Sequence, residues 1–463
     1  MKDASRESFL ELQKFTKLYA SKYFLLVMLV LCLVVLILPN LLRNNPFSIG
    51  EESFYHLRIA KDILSDGFLQ YDELSFSGRD TFLERGLSYS IASVSFITKI
   101  SVETSAKILF LLLGLFAVYL LHLIFKLLNL KEGLFALPVL IISPAFIYLF
   151  TVINRYAVSF ILLLLLVYFF LKKRYYLSGF FLLLMPLFSY AFTSFILISG
   201  LFYFLYKKKS KLLLIFLFLI LLVWIFTLKG FNLEFISDLG GDLGLSIFGI
   251  FIVFVGLGFF WKKKRFISLY LLCLILFIFY LKLYWMIFIL NIPFCLLIAY
   301  SFTNLLNIKW ESELIKELTI LLLICGLLLS GFSFVKSLSD AEPTEEIFDT
   351  LSLIPRGSVV LSIPKNGYWI NYAGMKNVVD EFVWFTDFEE RNNDIETLFW
   401  TENLNEVVSV LDKYNVDYIL LGSVAKHKIL AKDEEGILFF LKYSDKFKKL
   451  KEGNIELWRY VRE

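Results

Sequence analysis

The sequence predicts an α-helical multi-pass membrane domain followed by a C-terminal extracytoplasmic α/β domain. Hydrophobic residues make up 58% of the 463-residue chain, and the mean hydropathy is +0.72. A soluble domain has roughly 45–50% apolar residues. The excess lies in long apolar runs, such as Tyr23–Leu38 and Phe266–Leu281, which approach the roughly 20 residues that a helix needs to cross a bilayer. After Ser339 the long runs end, and shorter strand-like and helix-like segments alternate.

Clusters of basic residues set the predicted orientation, because lysine and arginine are enriched in cytoplasmic loops. Such clusters lie in the N-terminal segment and at 172–174, 207–211 and 262–265. All of them can face the cytoplasm only if the serine-containing apolar stretch 86–100 lies at the membrane surface instead of crossing the membrane. The first run is then a retained span, the total is about 11 spans, and the C-terminus is extracytoplasmic. The predicted spans are 23–42, 105–127, 133–152, 156–171, 175–190, 191–206, 211–228, 244–261, 266–282, 284–306 and 314–335.

Two domains follow from these patterns. Residues 1–340 form the membrane domain, whose long first external loop covers 43–104, and residues 341–463 form the soluble α/β domain. The soluble domain lacks an apolar run long enough to span a bilayer. Its strand-like runs are Ser358–Ile363, Tyr368–Tyr372, Asp417–Leu421 and Ile455–Val461, and its helix-like runs are 403–414 and 434–443.

The composition argues against several classes of function. The four cysteines all lie in apolar runs without paired spacing, so we expect neither a disulfide framework nor a thiolate metal site. Three histidines are too few for a histidine-rich metal site. The net charge of +4 comes from loop lysines and reflects topology, so we expect no nucleic-acid partner.

The first external loop carries the strongest candidate site. Glu51 and Glu52 stand a few residues beyond the first span, and His56 and Arg58 follow within two helical turns. If a helix starts here, Glu52 and His56 share a face at i and i+4, near the positive end of the helix dipole. Such a group suits a divalent metal, an acceptor-orienting site or a general base. A solvated amphipathic helix at the membrane surface is the alternative interpretation.

Three further positions are candidates at the external boundary of the membrane. Asp238 lies in the second external loop, between Glu234 and Asp242, and Arg155 and Lys282 lie at external turns. A cation at the membrane boundary either anchors the chain at the interface or neutralises a phosphate. The acidic loop either binds a cation or is a solvated, glycine-rich loop.

The first-loop motif resembles a known family. Glu52, Phe54, Tyr55, His56 and Arg58 are similar to the pattern that follows the first span in the catalytic subunit of oligosaccharyltransferase. That subunit is a member of the GT-C superfamily of polyprenol-dependent glycosyltransferases. The family motif is an acid, any residue, an aromatic, Tyr, His, any residue and Arg.

The soluble domain extends this resemblance and also departs from it. Gly367-Tyr368-Trp369-Ile370 and Asn377-Val378-Val379-Asp380 are similar to the stretches that follow the family's Trp-Trp-Asp-Tyr-Gly signature. The Trp-Trp-Asp triplet itself, which recognises the hydroxyl residue of the acceptor sequon in the family, is replaced by Ile363-Pro364-Lys365. The family's second acidic pair would fall at Asn154-Arg155-Tyr156, where the carboxylates are absent.

The resemblance implies a membrane glycosyltransferase that takes a sugar or oligosaccharide from a polyprenyl phosphate or diphosphate donor. It would transfer the sugar to a protein or glycan acceptor on the extracytoplasmic face. The implied catalytic acids are Glu52 and Asp238, which would also ligate a divalent ion, Mg²⁺ or Mn²⁺. The other implied roles are phosphate binding or orientation of Glu52 for His56 and Arg58, phosphate binding for Arg155 and Lys282, and an acceptor-side position for Tyr55, Gly367, Tyr368 and Trp369.

The sequence leaves two alternatives open. A non-catalytic relative, acting as a scaffold or as a binder of lipid-linked glycans, fits the missing carboxylates and the lost triplet. A transporter would require ionisable residues within the spans, which are nearly free of charge.

Overall fold

A computed structural model of the chain describes residues 22–67, 70–80, 84–130, 132–207, 236–239, 243–260, 264–382, 387–422 and 436–462. Contacts divide the chain into two compact units. The first unit comprises Met1–Asn44 and Lys107–Asp340, and the second comprises Asn45–Ala106 and Ala341–Glu463. Residues 45–106 thus share a unit with the C-terminal sheet, although they belong to the first external loop in the sequence.

The first unit is built from apolar helices. Among the described residues, four helical stretches are long and apolar enough to cross a membrane: Tyr23–Leu42, Val102–Leu127, Met286–Asn307 and Glu313–Leu351. The last stretch contains two helices, Glu313–Asp340 in the first unit and Glu345–Leu351 in the second. This length and composition are those of an integral membrane protein. The predicted total of 11 spans is not confirmed, and the predicted span 211–228 lies outside the described residues. The remaining helices are Gly133–Ile141, Pro144–Thr151, Arg155–Leu171, Tyr175–Leu184, Tyr190–Lys207, Ile247–Phe260 and Lys264–Tyr280.

The predicted span 133–152 is wrong as a continuous helix. The chain breaks after Ile141, because Ser143 caps a new helix through its side chain and Pro144 occupies the first helical position. The helix Pro144–Thr151 then meets Arg155–Leu171 at a bend of 111°. If this bent pair crosses as one span, the number of candidate spans rises from four to five.

The second unit is organised around a five-stranded mixed sheet. Its strands are β3 Val359–Leu361, β4 Lys376–Asn377, β5 Tyr418–Leu421, β6 Phe447–Lys451 and β7 Glu456–Tyr460. The sheet order is β4-β3-β5-β7-β6, in which β3 pairs in parallel with β4 and β5, and β7 pairs antiparallel with β5 and β6. A separate antiparallel ribbon in the first loop is formed by β1, Tyr71–Asp72, and β2, Arg79–Asp80.

Side chains alternate between the two faces of this sheet, so β3, β5 and β7 each contribute to two cores. Ile419 and its neighbour Leu420 lie in different hydrophobic clusters, as do Trp458 and Leu457. The helices of the unit are Glu51–Asp66, Gly86–Thr98, Glu345–Leu351, Gly367–Tyr372, Phe388–Trp400, Leu404–Lys413 and Ile437–Tyr443.

The first loop supplies a large aromatic residue to each core. Phe76 lies in one cluster with Leu361 and Ile419, and Phe54 lies in the other with Trp369. Both phenylalanines are 1% exposed. The first loop is therefore part of the hydrophobic core of the second unit.

Most of the predicted strands and helices of the soluble domain are present, but Tyr368–Tyr372 is not a strand. It lies in the helix Gly367–Tyr372, which follows a 3₁₀ turn begun by Pro364. A short aromatic run is ambiguous between helix and strand, and burial of Trp369 and Ile370 against the sheet favours the helix here.

Candidate active site

The helix Glu51–Asp66, here called the first-loop helix, begins where the first loop enters the second unit. Its N-cap is Gly50, whose φ of 82° lies in the left-handed region that glycine adopts without strain. Glu51 and Glu52 occupy the first turn, where the helix dipole favours negative charge. Burial of Phe54 fixes this turn against the core, so the Glu52 carboxylate has a defined position.

Glu52 and His56 lie on the same face of this helix, as their spacing predicts. His56 Nε2 lies 3.3 Å from Glu52 Oε1, and His56 Nδ1 lies 3.0 Å from the hydroxyl of Ser88. The His56 and Ser88 side chains are buried, whereas Glu52 keeps 24% of its side-chain surface exposed. The three residues form a chain of polar contacts whose outer end is the Glu52 carboxylate. Ser88 was not among the residues singled out from the sequence.

Arg58 is bound to Asp72 inside the unit. Its Nη1 donates to Asp72 Oδ1 at 2.9 Å, its Nη2 donates to Oδ2, and both side chains are buried. Burial alone would raise the pKa of Asp72, but the Arg58 guanidinium outweighs burial and holds that pKa below its ordinary value. These contacts give Arg58 a structural role, and the phosphate role implied by the resemblance stays an untested prediction.

Asp380 connects the first loop to the C-terminal sheet. The fully buried carboxylate accepts hydrogen bonds from the Ser75 hydroxyl and, at 2.9 Å, from the backbone N–H of Phe382. It also lies 3.8 Å from Nη2 of Arg79. The Arg79 guanidinium is centred 4.3 Å from the Phe382 ring and 5.3 Å from the Phe76 ring, so its faces are covered by aromatic side chains.

Two of the four proposed acceptor-side residues, Tyr55 and Tyr368, lie together, with ring centroids 5.6 Å apart. Burial, followed by the charge of Asp380, raises the pKa of Tyr368 well above its ordinary value, so this phenol stays protonated. The charge of Glu52 also acts on Tyr368. Within the described part of the chain, the Tyr368 hydroxyl makes no hydrogen bond, and it is a donor that a ligand can use.

The other two proposed acceptor-side residues, Gly367 and Trp369, are packing residues in this structure. A Cβ added at Gly367 would lie 2.4 Å from the Val379 carbonyl oxygen and 2.6 Å from Asp380 Cβ. Trp369 is completely buried in the cluster that contains Phe54. Gly367 thus permits a close backbone approach, and Trp369 fills the core beneath Tyr368.

A charged group that the sequence did not reveal surrounds the start of the first-loop helix. Lys365, from the triplet that replaces Trp-Trp-Asp, lies 3.2 Å from the carboxylate of Glu51. Glu381 is exposed, yet its surroundings are crowded enough that desolvation, and then the charge of Glu51, raise its pKa to about 7. The only hint in the sequence was the Glu that follows the Val-Val-Asp motif.

Asp238, in the first unit, has two structural partners. Its Oδ2 accepts a hydrogen bond from the backbone N–H of Ile247 at 2.7 Å, at the start of the helix Ile247–Phe260. Its Oδ1 accepts a hydrogen bond from the hydroxyl of Ser330. Asp238 therefore caps the helix Ile247–Phe260 and is hydrogen-bonded to the helix that carries Ser330. Its flanking acids Glu234 and Asp242 lie outside the described residues.

Arg155 and Lys282 also belong to the first unit. Arg155 is the first residue of the helix Arg155–Leu171 and lies over the Tyr156 ring, 5.3 Å from its centroid. Asn154 caps this helix by accepting hydrogen bonds from two backbone N–H groups. Lys282 is half-buried in the turn that follows the helix Lys264–Tyr280. The phosphate role of both cations stays a prediction.

The predicted divalent-metal site has no complete ligand set among the residues that the structure describes. Among the residues described here, no group of three or more His, Cys, Asp or Glu side chains is placed to hold a metal ion. Both carboxylate oxygens of Asp238 accept hydrogen bonds from protein groups, and one oxygen of Glu52 faces His56. The described residues do not fit an Mg²⁺ or Mn²⁺ site.

No protein-family model matches the chain, and no curated protein matches its sequence. Solved structures do match. The archaeal oligosaccharyltransferase AglB from Archaeoglobus fulgidus, in complex with an inhibitory peptide and a dolichol-phosphate, has a TM-score of 0.59 at 13% identity. The match covers 96% of this chain and 74% of AglB.

Two other membrane transferases share the fold. The arabinofuranosyltransferase AftD from Mycobacteria matches 96% of this chain, with a TM-score of 0.52 at 13% identity, although the chain spans only 42% of AftD. ArnT from Cupriavidus metallidurans, bound to undecaprenyl phosphate, has a TM-score of 0.51 at 11% identity, covering 95% of this chain and 98% of ArnT. All three are GT-C glycosyltransferases. The chain therefore has a GT-C fold similar to that of oligosaccharyltransferase, as its motifs predicted.

Proposed function

We propose that this GT-C-fold chain is a membrane glycosyltransferase that transfers a sugar or oligosaccharide from a polyprenyl phosphate or diphosphate donor. The acceptor is a protein or another molecule on the extracytoplasmic face. The observation that carries the proposal is the Glu52 carboxylate, which is partly exposed and held by His56 at the start of the first-loop helix. It occurs in a chain whose fold matches membrane glycosyltransferases over nearly its whole length.

Glu52 is the proposed general base. Its carboxylate accepts the proton of the acceptor's nucleophilic group while that group attacks the anomeric carbon of the donor sugar. The bond between the anomeric carbon and the phosphate oxygen breaks, and the polyprenyl phosphate or diphosphate leaves with the bonding electrons. His56 holds Glu52 in position, and the free Tyr368 hydroxyl supplies a donor to the bound acceptor.

The donor lipid is proposed to lie in the bilayer with its phosphate at the boundary. AglB and ArnT were solved with polyprenyl phosphates, a dolichol-phosphate and undecaprenyl phosphate respectively, which makes this donor class the natural proposal. Arg155 and Lys282 are the proposed counter-charges for the leaving phosphate. A cation there stabilises the negative charge that develops as the sugar–phosphate bond breaks.

The acceptor is proposed to differ from the Asn-x-Ser/Thr sequon. In this chain the triplet that would recognise the sequon hydroxyl is Ile363-Pro364-Lys365, and the Lys365 ammonium pairs with Glu51. An ammonium can only donate hydrogen bonds, and this one is engaged by a carboxylate. It therefore does not offer the hydrogen-bond acceptor that an aspartate would provide to a hydroxyl.

A divalent cation remains a prediction of the family resemblance. Incubation with EDTA tests it directly. Loss of turnover that is restored by Mg²⁺ or Mn²⁺ would establish a metal requirement and would place ligands outside the described residues. Unchanged turnover would support the charge stabilisation by arginine and lysine proposed above.

The second candidate is a non-catalytic binder of lipid-linked glycans. The engagement of both Asp238 oxygens by protein donors favours it, because the implied second catalytic acid is then occupied by structural contacts. One experiment distinguishes the transferase from the binder: purified full-length protein is incubated with a panel of defined polyprenyl-linked sugars. Release of polyprenyl phosphate over many cycles establishes the transferase. Stoichiometric binding without any release establishes the binder.

A further inference from the structure

Ser88 lies on the helix Gly86–Thr98, here called the serine helix, which packs against the first-loop helix. The side chain is completely buried, and its hydroxyl oxygen lies 3.0 Å from His56 Nδ1. Within the described residues this is the only hydrogen bond of the Ser88 hydroxyl. A buried hydroxyl rarely leaves its hydrogen without an acceptor. The Ser88 hydrogen therefore has one acceptor, the Nδ1 lone pair of His56.

The other ring nitrogen leads to the same proton arrangement. His56 Nε2 faces Glu52 Oε1 at 3.3 Å, and an ionised carboxylate only accepts hydrogen bonds. Nε2 must then carry the hydrogen. In the neutral imidazole one nitrogen donates and the other accepts, so Nε2–H and an unprotonated Nδ1 satisfy all three residues at once. With a hydrogen on Nδ1, the Ser88 hydroxyl would have to accept, and its own hydrogen would be buried without a partner.

We propose that Ser88 is a positioning residue that fixes the tautomer of His56, with Nδ1 unprotonated and Nε2–H donating to Glu52. The orientation of the Glu52 carboxylate then depends on a buried serine two contacts away. Without the hydrogen bond from Ser88, His56 can exchange between its two tautomers. In the other tautomer Nε2 presents a lone pair to Glu52, and this lone pair repels the carboxylate. The effect of Ser88 on turnover rests on the proposed transferase function, but the proton placement does not.

The proton placement can be read directly, because the chain has only three histidines. Full-length protein labelled with ¹⁵N-histidine gives one pair of ring nitrogen signals per residue, and His56→Gln assigns the pair of interest. We expect one protonated Nε2 and one unprotonated Nδ1 in the wild type. In Ser88→Ala we expect the two signals to move towards each other as the tautomers mix. Ser88→Thr, which keeps the hydroxyl, should restore the wild-type signals.

The serine helix also provides a matched control. Ser90 lies on the same helix, and its hydroxyl donates to the Gly86 carbonyl at 2.7 Å instead of to His56. Ser90→Ala should leave the His56 nitrogen signals unchanged. If Ser90→Ala shifts them as much as Ser88→Ala does, loosening of the helix explains the change and the proposal fails. A protonated Nδ1 in the wild type, or Ser88→Ala signals identical to the wild type, overturns it as well.

Kinetics then test the role of Ser88 in the transfer reaction. A positioning residue acts on the reacting geometry, so Ser88→Ala should lower kcat by roughly tenfold while KM changes by less than about twofold. Ser88→Thr should recover most of kcat, and Ser90→Ala should not change it. A Ser88→Ala enzyme with wild-type kcat contradicts the positioning role. If the wild type itself transfers no sugar, the proposed function fails while the nitrogen signals still decide the tautomer.

Discussion

Replacing Asp72 by asparagine tests the structural role of the Arg58–Asp72 pair. The substitution keeps the shape of the side chain and removes its charge, which leaves the buried Arg58 guanidinium with Asp62, 3.5 Å from its Nη1, as the more distant remaining counter-charge. The two side chains are only 8% and 1% exposed, so solvent screens the loss weakly. Breaking such a buried pair costs about 3–5 kcal/mol. For a unit of this size about 1 kcal/mol corresponds to roughly 2–4 °C in Tm, so we expect Asp72→Asn to lower Tm by about 6–20 °C.

The measurement is thermal unfolding of the purified full-length protein, in detergent, for the wild type, Asp72→Asn and a double variant. Replacing a buried ion pair by apolar residues of similar volume is often close to neutral. The double variant Arg58→Met, Asp72→Leu should therefore be more stable than Asp72→Asn alone. A fall of less than 2 °C for Asp72→Asn would refute the structural role of the pair. A double variant less stable than Asp72→Asn would refute the reasoning that the loss of the closer counter-charge destabilises the buried guanidinium.

The pH dependence of this contribution has a definite sign. The folded-state pKa of Asp72 is lowered, so its contribution is complete above the unfolded-state pKa of about 3.9 and is lost as the pH falls through the folded-state value. The difference in Tm between wild type and Asp72→Asn should therefore shrink under acid conditions. It should stay constant between about pH 5 and 8.

Two other predictions concern the same unit. Gly367→Ala should lower Tm, since overpacking costs about 1–3 kcal/mol and the new Cβ would meet the Val379 carbonyl oxygen at 2.4 Å. The helical control Gly179→Ala, with no atom within 4 Å of its added Cβ, should not lower it, and equal losses would contradict the steric explanation. The pKa of Glu381 is raised to about 7, so its contribution to stability is lost as the pH rises from the unfolded-state value towards 7. Glu381→Gln should remove that part of the pH dependence of Tm, and an unchanged dependence would contradict the assignment.

The sequence predicted the parts of the fold that depend on local pattern. Long apolar runs gave the candidate spans, and alternating strands and helices gave the α/β domain. The break after Ile141 also had a local signal, the Ser143-Pro144 pair, but the surrounding apolar residues dominated the prediction. The helix Phe388–Trp400 was missed because its sequence is mostly polar and charged.

Contacts between distant segments could not be predicted in this way. Phe76 packs into the core of the C-terminal sheet, and its backbone N–H donates to Asn377 Oδ1, about 300 positions away. Nothing in the local pattern of either segment indicates this pairing. The contact of Ser88 with His56 is of the same kind, because Ser88 looked like one of several serines on a surface helix.

The candidate site was predictable where it followed helix geometry. The i, i+4 spacing placed Glu52 beside His56, and the family motif indicated Tyr55 and Tyr368. The partners of Arg58 and Asp238 were not predictable, because Asp72, Ser330 and the Ile247 backbone N–H reach them through tertiary structure. A motif residue can therefore be present in the sequence while its side chain is engaged in structural contacts.

The most direct test of the central proposal compares two carboxylates of the first-loop helix. Purified full-length protein is given a polyprenyl-linked sugar, and transfer is followed for the wild type, Glu52→Gln and Asp66→Asn. Asp66 is the matched control, since it is an exposed acid at the far end of the same helix. Loss of a general base lowers turnover by about 10²–10⁴-fold, which we expect for Glu52→Gln, with Asp66→Asn at the wild-type rate. Turnover by Glu52→Gln at the wild-type rate would contradict the proposal.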